Sequence, residues 1–395
     1  MSTSPRQGHT LERSTITGGP HAHRAPSGRH ACHPGSLRIA LVVPPWFEVP
    51  PPGYGGIEWM CHWLAESLVA RGHEVVVIGA GHRSGAGRFV STGPLPDPRR
   101  LGEAMPEVLH LASAVRALEG LDVDVVHDHT LVGPLLAFGR AVPTVVTAHG
   151  PVTAEMAEYH RRLGDRIRLV AISEAQRRTG PGLPWAATVH NGIPVDDYPV
   201  GRAKEDFALF LGRMSPEKGV HLAIDAARAA GMPLVVAAKC NEPAERAYFV
   251  EHVAPRLGPG VDWIGEADTA RKKDLLARAR CLVLPLQWEE PFGIVMVEAL
   301  ACGTPVVALA RGAAPEIVVD GESGFLCRTA EELPGALAAA AGIDPQACRA
   351  RARAFDVARM VAGYESVYTH AALTRPLRAL PRRPFPRKLE LEQRG

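Results

Sequence analysis

Two glutamates, Glu290 and Glu298, are separated by seven residues in the segment Glu290-Pro-Phe-Gly-Ile-Val-Met-Val-Glu298. An apolar, strand-length run ending at Pro285 precedes them, and helical apolar spacing begins only near Ile294. Glu290 is therefore expected in a loop, with Pro291, Phe292 and Gly293 at a helix start that presents free N–H groups, the proline excepted. Glu298 is expected about a turn into that helix. One acid could then meet a sugar and the other a ribose; the alternative is a capping acid and a solvated one.

Upstream, an apolar run from Phe207 to Leu211 ends in Gly212-Arg-Met-Ser-Pro-Glu-Lys218-Gly219, with a helix expected from Val220. Arg213 offers a planar fork and Lys218 a mobile point charge, a pair suited to a diphosphate whose negative charge grows as it departs. A third Gly-rich loop, Gly53-Tyr-Gly55-Gly56-Ile-Glu58, follows the first strand and opens a helix, where backbone N–H groups and the helix dipole favour phosphate. Glu58 stands where a dinucleotide fingerprint requires its third glycine, and the next strand ends Ile78-Gly79-Ala80 with no ribose-binding acid. That argues against a nicotinamide dehydrogenase.

These loops need a scaffold of strands. Apolar runs recur at Leu37 to Pro44, Glu74 to Ile78, Val123 to His127, Thr144 to Ala148 and Leu169 to Ile172, each feeding a polar loop. The pattern lapses near residues 200–206 and restarts at Phe207, continuing through Pro233 to Ala237, Val261 to Ile264, Cys281 to Pro285 and Pro305 to Ala308. The class is α/β, with two Rossmann-like halves and a cleft between them. The expected division is a leader over 1–36, a first half over 37–202, a second over 203–355, a closing helix over 356–372 and a basic Pro-rich tail over 373–395. Asp356 is the expected N-cap of that helix, whose stripe is Val357, Met360, Val361, Tyr364, Val367 and Tyr368.

Charge excludes some functions. The two tails together carry a net charge of +8 and leave the body at about −6 within a net charge of +2, which does not suit a nucleic-acid groove. The seven cysteines are scattered and form no CxxC, so buried thiols in a reducing compartment are expected. No apolar stretch is long enough for a membrane span, and the leader lacks a signal-peptide core. The expected location is the cytoplasm. For the Pro/Arg tail two readings stand: solvated coil, or contact with an anionic membrane at its inner face.

With Glu290 and Glu298 in this frame, the chain resembles the retaining glycosyltransferases of family four, which have the two-domain GT-B fold. The resemblance covers residues 37 to about 370. It includes Gly55 to Glu58, His127-Asp-His129, Thr147-Ala-His149-Gly150, Ala171 to Glu174, Val189 to Ile193, Gly212 to Gly219, Gly265-Glu266, the two-glutamate segment and Gly303 to Val307. It implies that Arg213 and Lys218 neutralise the departing diphosphate and that Glu298 accepts from the ribose. Glu290 and the Phe292, Gly293 and Ile294 amides would hold the transferred sugar and its phosphate. Gly55 and Gly56 would approach the phosphate, His149 would lie beside the sugar, and Asp128 would contact the acceptor.

The resemblance further implies a nucleotide-sugar substrate, no metal and no other cofactor. Asp122-Val-Asp124 has metal-transferase spacing but reads as a turn before a strand, and Ser173 reads as an N-cap rather than a nucleophile. His127 and His129 read as satisfied structural histidines before a metal pair. Nucleotide-sugar 2-epimerases share the fold, and a non-catalytic binding module is a further alternative. Neither the acceptor nor the donor base is legible.

Overall fold

The computed structural model describes residues 35–201 and 203–374, and the account below concerns the compact unit beginning at Ser36. The expected leader up to residue 34 and the Pro/Arg tail from residue 375 lie outside the described residues.

The first half contributes β1 (Arg38–Val42), β2 (Glu74–Gly79), β3 (Arg88–Ser91), β4 (Val125–Asp128), β5 (Thr144–Ala148), β6 (Ile167–Ala171) and β7 (Trp185–Thr188). They form one seven-stranded parallel sheet in the order β3-β2-β1-β4-β5-β6-β7. The second half contributes β8 (Ala208–Arg213), β9 (Leu234–Lys239), β10 (Val261–Trp263), β11 (Cys281–Leu284), β12 (Val306–Leu309) and β13 (Gly324–Cys327). These form a six-stranded parallel sheet in the order β10-β9-β8-β11-β12-β13. Helices cover both faces, which is why β4, β5, β11 and β12 are buried along their whole length and read as continuous apolar runs.

Strand order reverses between β1 and β4 in one sheet and between β8 and β11 in the other. At such a point the connections leave in opposite directions and open a crevice beyond the carboxyl ends of the strands. The Gly53–Gly56 loop follows β1, the Arg213–Lys218 loop follows β8 and the Glu290 loop follows β11. All three chemistry-bearing loops therefore lie at switch points.

The closing helix, Val357–Leu373, begins where expected, with the Asp356 carboxylate accepting from the Ala358 N–H at 2.9 Å. Although it follows the second half in the chain, it packs on the first. Met360, Val361, Tyr364, Val367 and Tyr368 are buried with Ile39 and Leu41 of β1 and Met60 and Leu64 of the helix Gly56–Ala70. Each large apolar side chain so buried stabilises by about 1.5–3 kcal/mol, enough to hold the returning chain in place. The two crossings between the halves are themselves bonded, Ile193 N–H to Phe355 O at 3.1 Å and Val357 N–H to Ile193 O at 2.9 Å. Among the described residues no helix is long and apolar enough to cross a membrane, and the six cysteines are free thiols.

Candidate active site

The cleft between the halves has a volume of about 320 Å³ and is lined from both sides. From the first half come Gly53 to Ile57, Trp59, Trp63, His149, Ile172 and Asn191. Gly55 caps the helix Gly56–Ala70 at φ 142°, and a Cβ there would lie 2.8 Å from the Pro51 ring, so only glycine fits. The adjoining Tyr54 N–H donates to Glu266 Oε1 at 2.9 Å, across the cleft, and the Tyr54 ring lies 5.2 Å from Lys239 Nζ. Burial pushes the Tyr54 hydroxyl up to about 12.

From the second half, β8 delivers Arg213, whose Nη2 donates to Glu217 Oε1 at 2.8 Å. Gly219 then caps the helix Val220–Ala229 at φ 73°, where any Cβ would stand 2.1 Å from the Pro285 carbonyl oxygen. This close approach sets the Lys218 loop directly against the loop after β11. There Lys218 pairs with Glu290 Oε2, which also accepts from Trp288 Nε1 at 3.0 Å, and the ammonium lies 5.1 Å from the Trp288 ring centre. Each cation is thus matched to a carboxylate that an incoming phosphate would have to outcompete, and Glu290 is buried at 7 % exposure.

The helix Ile294–Ala301 starts from Gly293 as the sequence predicts, so its first N–H groups have no acceptor within the helix. Phe292, Gly293 and Ile294 line the cleft, with Ile294 the nearest side chain to Gly56 across it. Two helix N-termini therefore converge on one space, each worth about half a positive charge. Glu298, one turn in and buried, accepts at Oε1 from the Tyr198 hydroxyl at 2.8 Å and from Lys272 Nζ at 2.5 Å. Burial next to this carboxylate pushes the Tyr198 hydroxyl well above its ordinary range.

The structure brings Gly55, Gly56, His149, Arg213, Lys218, Glu290, Phe292, Gly293, Ile294 and Glu298 together around this cleft. It does not bring Asp128 there, which corrects the expectation of an acceptor contact. Asp128 is wholly buried, its Oδ1 taken by the Thr130 N–H at 3.0 Å and hydroxyl at 2.7 Å, and burial raises its carboxyl to about 6. A side chain at Gly133 would collide with it, so the loop has closed over this acid. Asp122 and Asp124 both pair with Arg38 and tie the start of β4 to β1. Ser173 accepts from the Gln176 N–H at 2.9 Å as an N-cap.

Sequence reasoning missed Tyr54, Trp59, Trp63, Lys239, Lys272 and Trp288. Trp59 and Trp63 stand at helical spacing with Leu64 and Leu68, yet the core takes Met60, Cys61, Leu64, Ala65 and Leu68, leaving the tryptophans to the cleft. Lys239 did carry a signal. A cation closing an apolar strand-length run stands beside the Arg213 register position on the neighbouring strand. Only 5 % exposed, it is held by Glu242 at 2.6 Å and Glu245 at 3.1 Å.

A sequence model described as Glycosyltransferase Family 4 matches residues 54–197, and one described as Glycosyl transferases group 1 matches residues 199–341. Glycogen synthase of Mycobacterium tuberculosis is 30% identical over 379 residues, spanning 80% of this chain and 89% of its own. This chain belongs to glycosyltransferase family four. It is a glycosyltransferase of the GT-B fold. Among solved structures, AviGT4, a glycosyltransferase involved in avilamycin A biosynthesis, superposes with a TM-score of 0.66 at 28% identity, covering 85% of this chain and 98% of AviGT4. HepE of Anabaena, solved with UDP and glucose, has a TM-score of 0.67 at 20% identity, covers 85% of this chain and 100% of its own, and shares the fold.

Proposed function

We propose that this glycosyltransferase moves a hexosyl unit from a nucleoside diphosphate sugar to an acceptor hydroxyl, with retention of anomeric configuration and without a metal ion. The observation that carries the reading is the convergence of Arg213, Lys218 and two helix N-termini on one cleft. A diphosphate leaving group gains charge as the glycosidic bond breaks, and fixed cations and amides stabilise that charge more than the ground state. These groups would do a metal's electrostatic work, and HepE, which shares the fold, is also solved in complex with UDP-glucose.

Glu298 would accept the ribose hydroxyls, with Lys272 and Tyr198 holding its orientation. Glu290 would accept sugar hydroxyls once phosphate draws Lys218 away. In a same-face displacement the acceptor O–H approaches beside the departing phosphate, which takes the proton as the new C–O bond forms, so positioning replaces a dedicated protein base. This chemistry is the same whatever the identity of the donor base and of the acceptor, and with or without a peripheral contact of the basic tail with an anionic membrane. A test is thermal unfolding with UDP, GDP, ADP and TDP in turn, with and without EDTA. Ligand at about 100 times its Kd adds about 2.7 kcal/mol. Stabilisation by one diphosphate irrespective of EDTA supports the reading. No response to any of them, or dependence on a metal, contradicts it.

A further inference from the structure

The His127-Asp-His129 segment ends β4 directly behind the cleft. His149, which lines the cleft, has its Nε2 3.0 Å from Nδ1 of His129. Among the described residues no protein group bonds His149 Nδ1. His129 is buried at 4 % exposure, and its Nε2 is sealed from solvent with no partner. Behind it, 3.9 Å ring to ring, His127 is fully bonded: Nδ1 to the Tyr368 hydroxyl at 2.7 Å and Nε2 to Thr147 Oγ1 at 2.8 Å. That threonine meets the Tyr364 hydroxyl at 2.9 Å, so the closing helix braces the whole array. Burial lowers all three imidazoles, His149 to about 4, and keeps them neutral near pH 7.

In a pair of neutral imidazoles, one nitrogen donates and the other accepts. If His149 donated from Nε2, His129 would carry its own proton on Nε2, as a buried N–H with nothing to accept it. If His129 donates from Nδ1, only a lone pair is left unmet. Orphaned buried N–H groups are rarer than under-satisfied acceptors, so the second arrangement prevails. It places the His149 proton on Nδ1, the nitrogen left over for the cleft.

We infer that His129 is a positioning residue that fixes the tautomer of His149, so that His149 meets the transferred sugar as a hydrogen-bond donor. The part concerning the sugar rests on the donor-site reading above; the part concerning the tautomer does not. A sugar oxygen in the cleft then finds a fixed N–H rather than a ring that turns or exchanges its proton site. The device is built on neighbouring strands, because His129 directly follows β4 and His149 directly follows β5.

The test is ¹⁵N NMR of the histidine-labelled full chain, with His149 identified by its loss in His149→Gln, together with release of nucleoside diphosphate from UDP-glucose, ADP-glucose and GDP-mannose. The wild type should carry the His149 proton on Nδ1. His129→Asn, which keeps an N–H near the Nδ1 position, should preserve that state and keep kcat within about threefold, whereas His129→Leu should move the proton to Nε2 or mix the tautomers and lower kcat about tenfold or more at an unchanged donor KM. A wild-type His149 protonated on Nε2, or the same tautomer in wild type and Leu variant, overturns the inference. A shifted tautomer with unaltered kcat overturns its sugar half. Should His129→Leu not fold, the wild-type spectrum and the Asn variant still decide. If no donor reacts with the wild type, the donor-site reading fails while the NMR result still judges the tautomer.

Discussion

The two halves of the molecule share a strand order, yet they bring different chemistry to the same cleft. The second half supplies the charges there: Arg213, Lys218, Glu290, Glu298, Lys239 and Lys272. The first supplies backbone amides at Gly55 and Gly56, the edges of Trp59 and Trp63, and a chain of neutral histidines. The charged residues come as mutually paired ions poised to exchange partners with a ligand, whereas the histidines are fixed by one another. A repeated scaffold can thus separate charge compensation from shape and hydrogen bonding, because the loops beyond the strand ends vary independently of the sheets.

The sharpest way to break this comparison is to remove charge from the second half. Lys218→Ala should lower turnover about 10²- to 10³-fold with a modest loss of donor affinity, equivalent to about 3–4 kcal/mol of lost leaving-group stabilisation. Steady-state kinetics with the preferred donor checks it, and unchanged turnover removes Lys218 from the mechanism. Next comes the geometry that seats the lysine. Gly219→Ala combines a left-handed backbone with a Cβ 2.1 Å from a carbonyl oxygen, and should cost about 1–3 kcal/mol or more in chemical denaturation.

Glu298→Ala should weaken nucleoside diphosphate binding about tenfold by calorimetry while sparing kcat. An unaltered Kd would place the ribose elsewhere.

On the first-half side the expected effects are on pH response. Burial raises the Glu58 carboxyl from its ordinary 4.5 to about 8. The folded state then binds the proton more tightly than the unfolded one, so Glu58 favours the fold at low pH and that contribution fades as pH climbs from 4.5 through 8. Glu58→Gln should therefore gain stability relative to wild type across this window, by at most about 1.4 kcal/mol per pH unit. A constant difference from pH 5 to 9 contradicts the assignment. Smallest of all, Asp128→Asn should leave donor affinity unchanged within about twofold, since its carboxylate faces its own loop.

Much of the scaffold was legible because a parallel strand buried on both faces writes itself as a short apolar run. β1, β4, β5, β8 and β11 lie within a residue or two of their expected places. The strands that escaped notice, β3, β7 and β13, are all sheet edges, and their half-exposed residues interrupt the run. The loop glycines and the two-glutamate segment were readable because each occupies a helix start with a local signature. Tertiary partners were not. Nothing local shows that Lys272 would reach Glu298 or that Tyr54 would seat on Glu266. These partners stand 26 and 212 residues apart in the chain and meet only in the folded molecule.

The central claim is that the second half's switch point is a diphosphate seat. It is tested most directly by calorimetric affinities for the preferred nucleoside diphosphate and for its parent nucleoside, measured on the wild type and on Arg213→Ala/Lys218→Ala. The account predicts that the wild type prefers the diphosphate by about a hundredfold or more and that the double variant loses most of that preference while still binding the nucleoside. If the preference survives intact in the double variant, the diphosphate lies elsewhere and the claim is contradicted.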